Sequence, residues 1–136
     1  MGTEAEILNQ SRVLAIVGLS SKPGRHSFTV ASYMQDYGYK IIPVNPSEKE
    51  VLGEKSYPDL SSIPEKVDTV VIFRRSEDVL PIAREAIKIG AKAVWMQEGI
   101  VNESAAAEAR RAGLKVVMDH CVRKEHARLH GDDSVI

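Results

Sequence analysis

Apolar residues in this chain alternate between two periods, and that alternation leaves few folds open. Val13 to Leu19 is a near-continuous apolar run, as a strand needs when both faces of its sheet are covered. Ser27 to Tyr37 then sets Val30, Ala31, Met34 and Tyr37 on one helical face. Tyr39 to Val44 and Thr69 to Phe73 read as the second and third strands. Between Glu77 and Ile89, Val79, Ile82, Ala83, Ala86 and Ile87 recur at helical spacing, with the start set either by Ser76 as a cap or by Pro81 in a later first turn. Ala93 to Met96 is the fourth strand. Asn102 caps an alanine-rich helix to Ala112, Lys115 to Met118 is the fifth strand, and Val122 to His130 a last helix.

An echo punctuates the pattern: Gly38-Tyr39-Lys40, Gly90-Ala91-Lys92 and Gly113-Leu114-Lys115. Each glycine follows a predicted helix and precedes a strand, where a left-handed residue ends the helix and a lysine suits the negative end of its dipole. Strands alternating with helices imply right-handed crossovers, a parallel sheet and helices on both faces. The expectation is a single Rossmann-like three-layer α/β domain with a five-stranded parallel sheet in the common order 3-2-1-4-5. The 136 residues suit one domain of roughly 100–150, with a core from about residue 8 to 131, a short N-terminal lead and a frayed C-terminal tail. The crossover from Asn45 to Asp68 has no helical period. Pro46, Pro58 and Pro64 break it, with one ordered turn near Leu60 to Ile63. Loops of that length are often functional.

Composition removes several function classes. Hydrophobic residues at 43% and charged residues at 27% exclude a disordered chain. A net charge of −1 lacks the cationic surplus that nucleic acid or an anionic membrane requires, and the seven aromatic residues form no stacking ladder. No apolar run approaches the roughly 20 residues of a membrane span. The start of the chain is acidic at Glu4 and Glu6, unlike a signal peptide. The single cysteine, Cys121, fits a reducing cytoplasm.

Ligands of open parallel sheets bind at the carboxyl ends of the strands, where strand order reverses. With the order 3-2-1-4-5 the reversal joins the loop Gly18 to Ser27 to the loop Gln97 to Ile100, flanked by Asn45-Pro46, Arg74-Arg75 and Asp119 to Cys121. In the first loop, Gly18 permits close backbone approach, Ser20 and Ser27 offer hydroxyls, Lys22 and Arg25 offer charge, and a helix begins near Ser27. This looks like a phosphate loop, though not a G-x-G-x-x-G, since Ser20 stands at the middle glycine. The second strand ends in Val44-Asn45-Pro46, without the acid that an NAD ribose requires. That weighs against NAD more than against NADP.

The motifs Gly18-x-Ser20-x-x-Pro23 with Ser27, Pro43-Val44-Asn45-Pro46, Leu52-Gly53, Tyr57-Pro58-Asp59-Leu60, Ile63-Pro64, Phe73-Arg74, Trp95 to Ile100, Cys121 and Glu125-His126-x-Arg128-Leu129 resemble, in order and spacing, the stand-alone CoA-binding protein family. That family is similar to the CoA-binding N-terminal domain of the succinyl-CoA synthetase alpha subunit. The resemblance implies that Gly18, Ser20, Pro23, Arg25 and Ser27 hold the diphosphate of coenzyme A or an acyl-CoA, and Lys22 joins the binding residues for its charge in the same loop. Asn45 and Pro46 would lie by the adenosine, with Phe73, Arg74 and Val79 lining the adenine side. Gln97, Glu98 and Ile100 would border the pantetheine arm, with Cys121 near it. One departure is the position after Asn45-Pro46, where Ser47 and Glu48 precede the first basic residue, Lys49.

The functional expectation is non-catalytic binding of a CoA thiol or thioester by a carrier, sensor or regulator. The alternatives are a partner-dependent acyl-CoA ligase subunit and an NADP-binding redox protein. Any protein partner and the oligomeric state stay open. Cys121 reads first as a structural thiol, with nucleophile or mixed disulfide as alternatives. His126 and His130 share a helix face but lack an evident third metal ligand, so they read as capping or solvated groups, and no metal is expected. Glu98 reads as a cap or ligand contact rather than a base, and Trp95 as core.

Overall fold

Buried residues along the strands alternate between two apolar layers. Leu14 and Ile16 pack on one face of the sheet with Ile41, Val71 and Trp95. Ala15 and Val17 pack on the other with Ile42, Val70, Ile72, Val94 and Met96. In the computed structural model, which describes residues 2–131, this sheet comprises β1 (Val13–Val17), β2 (Lys40–Val44), β5 (Thr69–Ile72), β6 (Ala93–Met96) and β7 (Lys115–Val117). Helices α1 (Thr3–Gln10), α2 (His26–Asp36) and α5 (Val122–Leu129) supply the first layer, and α3 (Val79–Lys88) and α4 (Glu103–Arg111) the second. All pairings in the sheet are parallel, so the expected three-layer Rossmann-like domain is observed.

The strand order is a correction. It runs β2-β1-β5-β6-β7, which is 2-1-3-4-5 when only the five sheet strands are counted, and not 3-2-1-4-5. Pro43 gives a physical reason. Proline has no N–H for a ladder, so it belongs on an edge strand, whereas the expected order would have put β2 inside. The Pro43 carbonyl faces outward and accepts from Tyr57 N at 3.0 Å. All four residues of β5 are buried, as befits an interior strand. The reversal of strand order therefore lies between β1 and β5.

Two further elements differ from expectation. The N-terminal lead is helix α1, whose Ala5, Ile7 and Leu8 are buried. The long crossover contains a small hairpin, β3 (Glu50–Val51) and β4 (Glu54–Lys55), before a 3-10 turn at Leu60–Ser62. The segment Ser76–Asp78 is a second 3-10 turn, so α3 starts only at Val79. Asn102 caps α4 as expected, accepting from Ala105 N at 2.9 Å. The echo glycines Gly38, Gly90 and Gly113 all have positive φ, as left-handed helix stops require. The expected tail from Asp132 lies outside the described residues.

Candidate functional site

The carboxyl ends of β1 and β5 approach so closely that only glycine fits at residue 18. A Cβ there would lie 2.4 Å from the Phe73 carbonyl oxygen, and its φ is +88°. The expectation that Gly18 serves close approach to a ligand is thus refined, since the atom it approaches is backbone. Gly18 N also donates to Val44 O at 2.8 Å, fastening three strand ends together. From this point a cleft of about 550 Å3 opens, lined by Gly18, Arg25, His26, Ser27, Phe73, Arg74, Arg75, Asp78 and Ile100.

The first loop is tied by its own hydroxyls. Ser20 N donates to Ser27 Oγ at 3.1 Å, and Lys22 N donates to Ser20 Oγ at 3.1 Å. Both hydroxyls accept in these bonds, so each keeps its own proton to donate. Glu48 holds the outer bend by accepting from Ser21 N at 2.9 Å. That bond, aided by the charge of Lys22, keeps the Glu48 carboxyl below its ordinary pKa. Lys22 and Pro23 are exposed on this bend and do not line the cleft. Arg25 stands at the N-cap of α2 and makes no side-chain cap bond. Arg25, His26 and Ser27, the start of α2, line the cleft, and a helix N-terminus is a favourable setting for an anion. Arg25 and Arg74 make no ion pair among the described residues, whereas Arg75 is paired with Asp78 at 3.2 Å.

Asn45 and Pro46 divide in role. Asn45 Nδ2 donates to Leu19 O at 3.0 Å and its Oδ1 accepts from Ser47 N at 3.0 Å, so its carboxamide braces two loops. Pro46 lines an adjoining hollow of about 220 Å3 with Pro58, Leu60, Ile82 and Arg74 among its walls. Arg74 is common to both spaces. Val79, the first residue of α3, turns onto the sheet and is fully buried in the core.

The loops after β6 and β7 lie beyond Ile100, the one residue they give to the cleft wall. Gln97 is 2% exposed, and its Oε1 accepts from Val122 N at 3.0 Å, capping α5. Its Nε2 is buried with no hydrogen-bond partner. Gly99 N donates to Asp119 Oδ1 at 2.7 Å, and Trp95 Nε1 to His120 O at 2.8 Å. Trp95 is core, as expected. Glu98 pairs with Lys124 at 3.0 Å. Cys121, the N-cap of α5, is buried. The residue that sequence reasoning undervalued is His26. Its ring lies edge-on to Phe73 at 6.0 Å, and its donor atom, with those of Glu98 and Cys121, falls in a group spanning no more than 4.8 Å. The sequence puts His26 in the ligand loop as a candidate phosphate contact, and its closeness to Glu98 and Cys121 is what the structure adds.

His126 is not solvated. It is 2% exposed, bonded through Nδ1 to Tyr33 Oη at 2.9 Å, and stacked on His130 with ring centroids 4.0 Å apart. A second large cavity, about 450 Å3, lies at the opposite edge of the sheet under Lys92 and Lys115. It is at the amino ends of the strands, away from the edge where open sheets bind ligands.

The family described as CoA binding domain matches residues 12–127. The uncharacterized protein YneT of Bacillus subtilis is 44% identical over 122 residues, 90% of each chain. The acetate–CoA ligase (ADP-forming) II of Archaeoglobus fulgidus is 31% identical over 114 residues, which are 81% of this chain but 17% of the ligase. A hypothetical protein from Pyrococcus horikoshii superposes with a TM-score of 0.92 at 39% identity, over 96% of this chain and 94% of that one.

Proposed function

The chain belongs to the CoA binding domain family, and on that premise we propose that it binds coenzyme A or an acyl-CoA at the carboxyl edge of its sheet, as a carrier, sensor or regulator without a reaction of its own. The observation that carries this reading is the convergence of the α2 N-terminus with Arg25 and Arg74, neither ion-paired among the described residues, on one cleft. A diphosphate supplies the compact negative charge that such a set of donors favours. The hollow walled by Pro46, Pro58, Leu60, Arg74 and Ile82 is apolar on several sides and takes the adenosine. The pantetheine arm then passes Ile100 toward Gln97, Glu98 and Cys121, where the partnerless Gln97 Nε2 is a donor for an amide carbonyl. A cytoplasmic setting accords with the free thiol. No helix among the described residues is long and apolar enough to cross a membrane.

Titration calorimetry with coenzyme A, acetyl-CoA, NAD and NADP tests the reading. Coenzyme A or its thioester should bind tightest, and equal or stronger binding of a nicotinamide dinucleotide overturns it in favour of a redox protein. The ligase relative favours a second reading, a subunit that works only with a partner. Supplied with acetyl-CoA, ADP and phosphate, the pure chain should form no ATP. ATP formation, or its appearance once a co-purifying protein is restored, moves the assignment to a ligase.

A further inference from the structure

Three ligand types meet around His26, a residue of the cleft wall. His26 begins α2, Glu98 lies in the turn after β6, and Cys121 is the N-cap of α5. Their nitrogen, oxygen and sulfur donor atoms all lie within 4.8 Å of one another. An ion equidistant from three atoms at that limiting separation sits about 2.8 Å from each, since the radius is the side divided by √3. Zinc bonds run at about 2.0–2.3 Å to these donors. Closing the difference asks each donor atom to move about 0.5–0.8 Å, least for the sulfur. His26 and Glu98 are exposed, so both can shift by that much without disturbing the core.

We propose that His26, Glu98 and Cys121 form a three-ligand site for a zinc-class divalent ion, with a fourth position open to the thiol of the ligand in the cleft. The donor set decides the class of metal. A thiolate with an imidazole and a carboxylate suits zinc, while calcium and magnesium take oxygen cages. Three protein ligands with one position left open is also the arrangement of zinc sites that take an exogenous group. The scaffold is fixed beforehand. Gln97 Oε1 on Val122 N, Asp119 Oδ1 on Gly99 N and Trp95 Nε1 on His120 O hold the Glu98 and Cys121 loops together. The Phe73 ring braces His26.

Lys124 is the competitor, because its ammonium lies 3.0 Å from Glu98 Oε1 and 3.3 Å from Oε2. The ion takes one carboxylate oxygen and leaves the other to the lysine. The ion takes the Cys121 sulfur as a thiolate and the His26 ring as a neutral ligand. The three protein ligands stand independently of the coenzyme A reading. Only the identity of the fourth ligand rests on it.

Cobalt(II) is the probe. Added to the ligand-free full chain, one equivalent should give a thiolate-to-cobalt charge-transfer band in the near ultraviolet and the visible bands of a four-coordinate ion. Cys121→Ser should abolish the first band, and His26→Ala and Glu98→Gln should each weaken binding by at least about tenfold. Lys124→Ala should tighten it. His26 and Glu98 are exposed, so their variants keep the test valid if Cys121→Ser fails to fold. No thiolate band in the wild type, or unchanged affinity in both His26→Ala and Glu98→Gln, overturns the site. Coenzyme A added to the cobalt protein should strengthen the charge-transfer band, and a desulfo analogue should not. If calorimetry shows coenzyme A binding while the spectrum stays the same, the thiol as fourth ligand is overturned. If coenzyme A does not bind but the cobalt bands persist, the proposed function fails and the metal site stands.

Discussion

At the scale of single residues, the geometry ranks side chains that look alike in the sequence. Gly18 is the most constrained. A methyl group there meets a backbone oxygen at 2.4 Å, and backbone yields only by shifting a strand end. Gly18→Ala should cost about 2–3 kcal/mol, combining the positive-φ penalty with that displacement. A drop in the urea midpoint at constant slope checks it, and a midpoint within error of wild type refutes it. The adjacent arginines should separate in the same way. Arg74 has no ion-pair partner among the described residues, while Arg75 is 77% exposed and paired with Asp78. Arg74→Ala should weaken coenzyme A binding by about 10–100-fold, the worth of one charged hydrogen bond. Arg75→Ala should change it by less than about threefold, as expected for an exposed charge. Calorimetry at fixed salt reads both. Gly18, Arg25, Ser27 and Arg74 could be picked out as candidates because the α/β pattern puts Gly18 and Arg74 just past strand ends and Arg25 and Ser27 at the start of the helix that follows β1. His26 lies in the same loop, and its closeness to Glu98 and Cys121 is a matter of ångströms, which loop placement alone does not resolve.

At the scale of elements, patterning was legible wherever it ran for a full strand or for several helical turns. Ala93–Met96 is bounded as expected because four apolar residues lie between Lys92 and Gln97. Helix α1 was missed because its buried stripe is only Ala5, Ile7 and Leu8, too short for periodicity to register. The hairpin was missed because its turn holds Leu52 and Gly53 at φ of 55° and 77°. Such turns favour asparagine or glycine at both places, and a leucine there gives no signal.

Helix α1 is nonetheless part of the core, so Ile7→Ala should lower stability by about 2–4 kcal/mol. In thermal or urea unfolding, a loss no larger than that of an exposed-site control such as Asp36→Ala would show that α1 is only laid on the surface. The α2–α5 contact carries a pH dependence. Burial, with a smaller contribution from neighbouring His130, holds the His126 imidazole below its ordinary 6.5. The unfolded chain therefore takes up this proton first as pH falls through about 6.5. The native advantage is complete above that pH and is lost from there down to the folded-state value. Stability measured at about pH 7.5 and about pH 5.5 should fall more in wild type than in His126→Gln. Equal falls would place the dependence elsewhere.

At the scale of the whole molecule, strand order decides which loops share the site, and order was the part of the fold least legible. Apolar runs tell which segments are strands but not which strands are neighbours. Only Pro43 hinted that β2 is an edge. With β5 beside β1, a chain whose net charge is −1 brings Arg25, Arg74 and Arg75 to one cleft, although one of them is spent on Asp78. The same topology leaves a cavity of comparable size at the other edge, lined by Asp68, Lys92 and Lys115 among others. The two edges make opposite forecasts for amide exchange. A ligand at the carboxyl edge should slow exchange in Leu19 to Phe28 and Phe73 to Asp78, and leave Gly90 to Ala93 and Ala112 to Lys115 nearly as they were, apart from a uniform global term. That term is bounded, since coenzyme A at about a hundred times its dissociation constant adds about 2.7 kcal/mol to unfolding. It therefore slows only those amides that open by complete unfolding. Protection concentrated on the Gly90 and Gly113 turns would instead move the ligand to the amino edge, and would leave the cationic strand ends of β1 and β5 without the anion that their arrangement favours.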